Sequence, residues 1–131
     1  MDIALTEEQR MLRDMAREFA RKDIEPLAAR IDHDESLPPD LVAKLAELGF
    51  FGLLIPARYG GLGQNLTTGC LVLEELGKAS PSVAGLLSVQ MLLCPWTLET
   101  VGNEEQKQRL LPKSATGERL MAYSITEAAG A

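Results

Sequence analysis

Ala79-Ser80-Pro81-Ser82-Val83-Ala84-Gly85-Leu86-Leu87-Ser88-Val89-Gln90-Met91-Leu92-Leu93-Cys94-Pro95-Trp96-Thr97-Leu98 is the stretch on which the fold turns: twenty residues without a formal charge in a chain that is 24% charged. That length could span a bilayer. Against a span, Pro81 and Pro95 bracket only about thirteen residues, and Ser82, Ser88, Gln90 and Thr97 would need polar partners in lipid. Ser82 to Cys94 therefore reads as the central helix of a bundle, surrounded on all sides. Gly85, Ser88 and Gln90 among its leucines leave room for a ligand chain, although helix packing accounts for each of them taken singly.

Working outward toward the N-terminus, Met1 to Leu5 is a short lead-in. Thr6 with Gln9 forms a capping box, with Glu7 and Glu8 where the helix dipole favours negative charge. Leu12, Met15, Ala16 and Phe19 fall on one side of a helix running to about Lys22. Arg10, Arg13, Arg17 and Arg21 interleave with acidic residues on the other, a solvated face rather than a membrane or phosphate surface. Pro26 interrupts, and a short helical stretch from Leu27 to Ile31 leads into a hydrated loop, Asp32-His33-Asp34-Glu35. A metal site needs three or four convergent ligands, and the chain has one histidine. Pro39 suits the first turn of the next helix, with Leu41, Val42, Leu45 and Leu48 buried and Gly49 as a left-handed cap. Phe50 to Ile55 reads as a buried extended connection to a tight loop at Pro56, Gly60, Gly61 and Gly63. That loop lacks the flanking elements and lysine of a phosphate-binding loop. Asn65 or Thr67 caps a helix burying Cys70, Val72, Leu73, Leu76 and Gly77. Glu74 and Glu75 point outward, and as neighbours on a helix they do not converge for acid–base work.

Toward the C-terminus, Trp96, Leu98 and Val101 continue the helix to Gly102. Asn103 with Gln106 is a second capping box, opening a helix that buries Leu110 and Leu111 and stops at Pro112. Lys113 to Glu118 is a polar loop. From Arg119 the pattern alternates: Met121, Tyr123 and Ile125 against Ala122, Ser124 and Thr126, as in a short half-buried strand. Ala128 to Ala131 would let backbone amides approach a flat or anionic ligand closely. The fold expected is all-α, an up-and-down bundle of about five or six helices over 1–118, with the first strand of a following β-domain at 119–131.

The 131 residues make one domain, with 46% hydrophobic residues and a net charge of −6. The acidic balance argues against nucleic acid. Cys70 and Cys94 read as reduced core residues of a cytoplasmic protein. With no Ser/His/Asp set, Cys/His pair, metal cluster or dinucleotide fingerprint, the residues alone indicate a helical interaction module.

Three segments change that reading. Tyr123-Ser124-Ile125-Thr126-Glu127-Ala128-Ala129-Gly130-Ala131 resembles the aromatic-x-aliphatic-Thr-Glu-Pro-x-Ala-Gly-Ser-Asp signature of acyl-CoA dehydrogenases. Gly52-Leu53-Leu54-Ile55-Pro56-Ala57-Arg58-Tyr59-Gly60-Gly61-Leu62-Gly63 resembles their Gly-x-x-x-Pro-x-x-Tyr-Gly-Gly-x-Gly loop, and Gly102-Asn103-Glu104-Glu105-Gln106-Lys107 resembles their Gly-x-Glu-Glu-Gln-Lys helix start. Ala128 stands where the family has Pro, and Gly130-Ala131 where Ala-Gly is usual. The resemblance covers essentially the whole chain. It implies the N-terminal helical domain of a FAD enzyme that oxidises the Cα–Cβ bond of an acyl-CoA thioester, a carboxylate taking the α-proton and flavin N5 the β-hydride. It also implies an electron-transfer flavoprotein as acceptor and a homo-oligomeric whole protein in the cytoplasm, or in the mitochondrial matrix if eukaryotic. The implied flavin contacts are Tyr123, Ile125 and Thr126, with the Thr126 hydroxyl bonding near the isoalloxazine ring and Glu127 structural. Leu86, Val89, Gln90 and Leu93 fall roughly where the family lines its acyl pocket. The catalytic base is expected in a C-terminal bundle outside this chain, leaving the chain inert by itself. An acyl-CoA oxidase, a flavin monooxygenase or a non-catalytic helical scaffold are the alternatives.

Overall fold

The structure, a computed structural model, describes residues 4–128. The helices among them are α1 (Glu7–Phe19), α2 (Ala28–Asp34), α3 (Pro39–Glu47), α4 (Leu66–Ala79), α5 (Pro81–Ser88), α6 (Cys94–Val101) and α7 (Glu104–Ala115). Ala129, Gly130 and Ala131, the small-residue end of the signature, lie outside the described residues.

Local sequence sets the helix starts. The Thr6 hydroxyl accepts from the Gln9 N–H at 3.1 Å while the Gln9 carboxamide accepts from the Thr6 N–H at 3.0 Å, closing the capping box at α1. Asn103 and Gln106 close the same box at α7, with both bonds at 2.9 Å. Asn65, rather than Thr67, caps α4 through the Thr68 N–H. Pro39 opens α3, and Gly49 follows it at φ +75°, as a left-handed cap requires.

Helix ends depart from expectation where packing overrides punctuation. Pro26 does not break the first helix: a π turn (Ala20–Ile24) and a 3-10 turn (Glu25–Leu27) carry the chain into α2, with Pro26 at the start of the 3-10 turn, where its missing donor costs little. His33 is therefore an exposed residue in the last turn of α2, and the chain turns at Glu35. Pro112 sits inside α7 rather than at its end, and Ser114 and Ala115 beyond it are buried.

Residues 50–55 are buried at Phe50, Phe51, Leu53 and Ile55, but the segment winds rather than extends. Bonds from Gly52 N–H to Gly49 C=O, Leu53 N–H to Phe50 C=O and Ile55 N–H to Gly52 C=O make it a run of turns. The N–H groups of Leu62, Gly63 and Gln64 then donate to the carbonyls of Gly52, Ile55 and Leu53 at 2.8, 2.9 and 2.9 Å, closing a loop most of whose N–H groups are bonded.

On α4 the buried stripe is Thr68, Gly69, Val72, Glu75 and Leu76. Cys70 is exposed, contrary to its reading as a core residue, and Glu75 points inward. The stripe is rotated because a Cβ at Gly69 would lie only 3.2 Å from Met91 Cε and 3.3 Å from Leu54: the helix comes closest to its neighbours at the residue with no side chain.

The uncharged stretch forms one rod. α5, a π turn (Val89–Leu93) and α6 run on from Pro81 to Val101, 21 residues, with Pro95 in the first turn of α6. The rod is long and apolar enough to cross a membrane by length and composition, but Val83, Leu87 and Met91 sit in the core of this domain. It is not surrounded on all sides: Leu93 is 41% and Trp96 63% exposed. The core itself joins α1, α3, α4, the rod and the turns at 50–53, with Phe19 and Phe50 meeting edge to face at 6.3 Å between centroids. A second cluster, Ile55, Tyr59, Leu111 and Ala115 with Leu98 against it, binds the closed loop to α7.

Residues 120–127 have no regular secondary structure. The alternating pattern finds no sheet to join among the described residues, and a lone strand has no partner for its ladder bonds.

Candidate cofactor and substrate site

The closed loop, α6 and α7 fix each other through side chains. Tyr59 is buried, and its hydroxyl donates to the Glu104 carboxylate at the start of α7, 3.1 Å from each oxygen. The Gln108 and Tyr59 bonds hold that carboxyl below the usual range. Arg58 lies over the Tyr59 ring at 4.8 Å and pairs with Glu99 on α6 at 3.2 Å. A groove of about 600 Å³ runs between α6, α7 and the C-terminal segment, lined by Cys94, Thr97, Val101, Arg109, Met121 and Tyr123. Burial pushes the Cys94 thiol up, so it stays protonated and behaves as part of the wall.

The C-terminal segment is held to the domain at Met121, whose N–H donates to Gln90 Oε1 at 2.8 Å and whose carbonyl accepts from Gln90 Nε2 at 2.6 Å. Beyond it, Tyr123 is 43% and Ile125 60% exposed, and Ser124 and Thr126 are exposed as well. No hydrogen bond engages residues 122–127 among the described residues. Exposed apolar side chains thus stand beside backbone donors and acceptors that have no partner among the described residues.

The four residues placed at the acyl pocket are not brought together. Leu86 packs against the core, Val89 is half-buried in the π turn, and the Gln90 amide is occupied by Met121. Leu93 lines a different, apolar hollow of about 420 Å³ with Leu54, Leu66 and Trp96. Among the described residues, no group of three or more His, Cys, Asp and Glu is placed to hold a metal.

Sequence reasoning missed the pair that ties α1 to α4. Arg17 bonds the Glu75 carboxylate twice, both at 3.0 Å, and Lys78 bonds it at 3.0 Å. These cations hold the Glu75 carboxyl down from 4.5 to about 2 against the opposing effect of burial. The signal was present: Glu75 lies three residues after Val72 and seven after Thr68, on the buried helical stripe.

A family model described as "Acyl-CoA dehydrogenase, N-terminal domain" matches residues 6–118. The short-chain specific acyl-CoA dehydrogenase of Clostridium acetobutylicum is 39% identical over 127 residues, 97% of this chain and 34% of that protein. The solved butyryl-CoA dehydrogenase of Megasphaera elsdenii superposes with a TM-score of 0.89 at 31% identity over 98% of this chain and 34% of its own. A chain in a structure described as the electron transferring flavoprotein of Acidaminococcus fermentans superposes with a TM-score of 0.92 at 38% identity, again over 98% of this chain and 34% of its own. The chain belongs to the acyl-CoA dehydrogenase family, as its N-terminal domain. It spans about a third of the length of the curated relatives it matches.

Proposed function

We propose that this domain is the N-terminal wall of the active site in a FAD-dependent dehydrogenase that forms the α,β double bond of an acyl-CoA thioester. The observation that carries the reading is the free Tyr123-Ser124-Ile125-Thr126-Glu127 segment at the rim of the groove, in a chain of this family. FAD held there by Tyr123, Ile125 and Thr126 would supply hydride-accepting chemistry at the substrate β-carbon, with a carboxylate base taking the α-proton. The domain's part is to bind and orient: Tyr123 and Ile125 offer apolar surface to a ring, and the Thr126 hydroxyl offers a hydrogen bond to its polar edge. Electrons then pass to an electron-transfer flavoprotein, a reading supported by the matching chain in the Acidaminococcus structure. Two free thiols, Cys70 and Cys94, support a reducing compartment, the cytoplasm or, in a eukaryote, the mitochondrial matrix.

The test is the visible spectrum of the product of the complete reading frame, before and after anaerobic addition of a saturated acyl-CoA. A yellow protein that bleaches is the expected result. A protein that stays colourless when supplied with FAD would leave a helical scaffold, and oxygen consumption during turnover would point to an oxidase or monooxygenase. Thr126→Ala is expected to weaken FAD binding by about tenfold, the scale of one hydrogen bond to a polar ring edge. Unchanged affinity and spectrum would remove Thr126 from the site.

A further inference from the structure

Gln90 is 3% exposed, and both the nitrogen and the oxygen of its side-chain amide bond one residue from another part of the chain. Nε2 donates to the Met121 carbonyl at 2.6 Å and Oε1 accepts from the Met121 N–H at 2.8 Å. Two such bonds to one residue are what a facing residue supplies in an antiparallel ladder. A carboxamide can supply both because it carries a donor and an acceptor side by side, and only this orientation of the amide satisfies both groups. Gln90 lies in the π turn (Val89–Leu93), and Met121 lines the groove two residues before Tyr123. Residues 122–127 make no further bond to the body of the domain among the described residues. The register of the segment is thus set at this pair: a slip of one residue would move every side chain after Met121 along the groove and turn it to the other face.

We propose that Gln90 is a positioning residue for the cofactor, its amide standing in for a neighbouring strand so that Tyr123, Ile125 and Thr126 are presented at the groove in one register. The inference rests on the reading above that this segment faces the flavin.

The test uses the product of the complete reading frame. Gln90→Leu keeps the volume and removes both bonds, and Met121→Pro removes the N–H from the other side. Three quantities are read: FAD dissociation constant, hydrogen exchange at the Met121 amide, and exchange at the amides of α4 as a control on the fold. In Gln90→Leu the Met121 amide is expected to exchange at least about tenfold faster with α4 unchanged, and FAD to bind about tenfold more weakly, on the scale of two lost hydrogen bonds. The double variant should bind FAD no more weakly than the weaker single, since both break one pair. A Gln90→Leu protein with a freed Met121 amide and unaltered FAD affinity would overturn the proposal, as would losses that multiply in the double variant. Should Gln90→Leu not fold, Met121→Pro decides alone through FAD affinity, because Met121 is only half-buried at the rim. Thr126→Ala separates the two readings. If it weakens FAD while Gln90→Leu does not, only the positioning role fails; if neither does, the flavin-facing segment fails with it.

Discussion

At the scale of single residues, the Arg17–Glu75 pair makes a signed claim about pH. The Glu75 carboxyl is depressed from 4.5 to about 2, so its contribution to stability is complete above pH 4.5 and is lost as pH falls toward 2. Arg17 is 45% exposed at its side chain, and water screens it, so the contribution is about 1 to 2 kcal/mol rather than the several a fully buried pair would give. Glu75→Gln should cost that much in urea unfolding at pH 7, and the gap from the native protein should close as the pH is lowered through the window. A gap that stays constant would count against the pair. Gly61 makes a steric claim. A Cβ there would run into the Ile55 carbonyl inside the closed loop, and backbone cannot move aside cheaply. Gly61→Ala should cost about 3 kcal/mol or more, on the scale of overpacking at its most severe, and thermal unfolding would show it.

At the scale of elements, what was legible in the sequence was what neighbours in the chain decide. Both capping boxes, the Asn65 cap, Pro39 and Gly49 act within a few residues, and all stand where the pattern puts them. Asn103→Ala should accordingly cost about 1 kcal/mol of stability, measurable by denaturant unfolding. What was illegible depends on distant partners. The turns at 50–55 exist because residues 62–64 come back to bond them, and an apolar run cannot announce that. The rod's π turn has the same character. It places one surplus residue between α5 and α6, so a 3.6-residue count carried from Leu86 through Val89, Gln90 and Leu93 loses phase. The residues that the resemblance places at the acyl pocket stand apart, with Leu93 at the hollow beside Trp96 and Gln90 on Met121. The segment from Tyr123 to Glu127 was read by another route, since a motif is matched residue by residue and owes nothing to helical phase.

At the scale of the whole molecule, the apolar surface is distributed unevenly. Leu66 at 56%, Leu93 at 41% and Trp96 at 63% exposure surround one hollow, while the exposed face of α1 is charged. Contiguous exposed apolar surface drives association. The isolated chain should self-associate as concentration rises in sedimentation velocity, and Leu93→Glu with Trp96→Glu should return it toward monomer. The loop closed by the bonds between 52–55 and 62–64 has a consequence of another kind. A protease must draw several residues of backbone out into its cleft, and this glycine-rich loop has almost none to give: its amides are committed and Tyr59 is pinned to Glu104. Chymotrypsin offered the native domain should cut after Tyr123 and spare Phe50, Phe51 and Tyr59, so the stretch that composition marks as weakest would survive digestion intact.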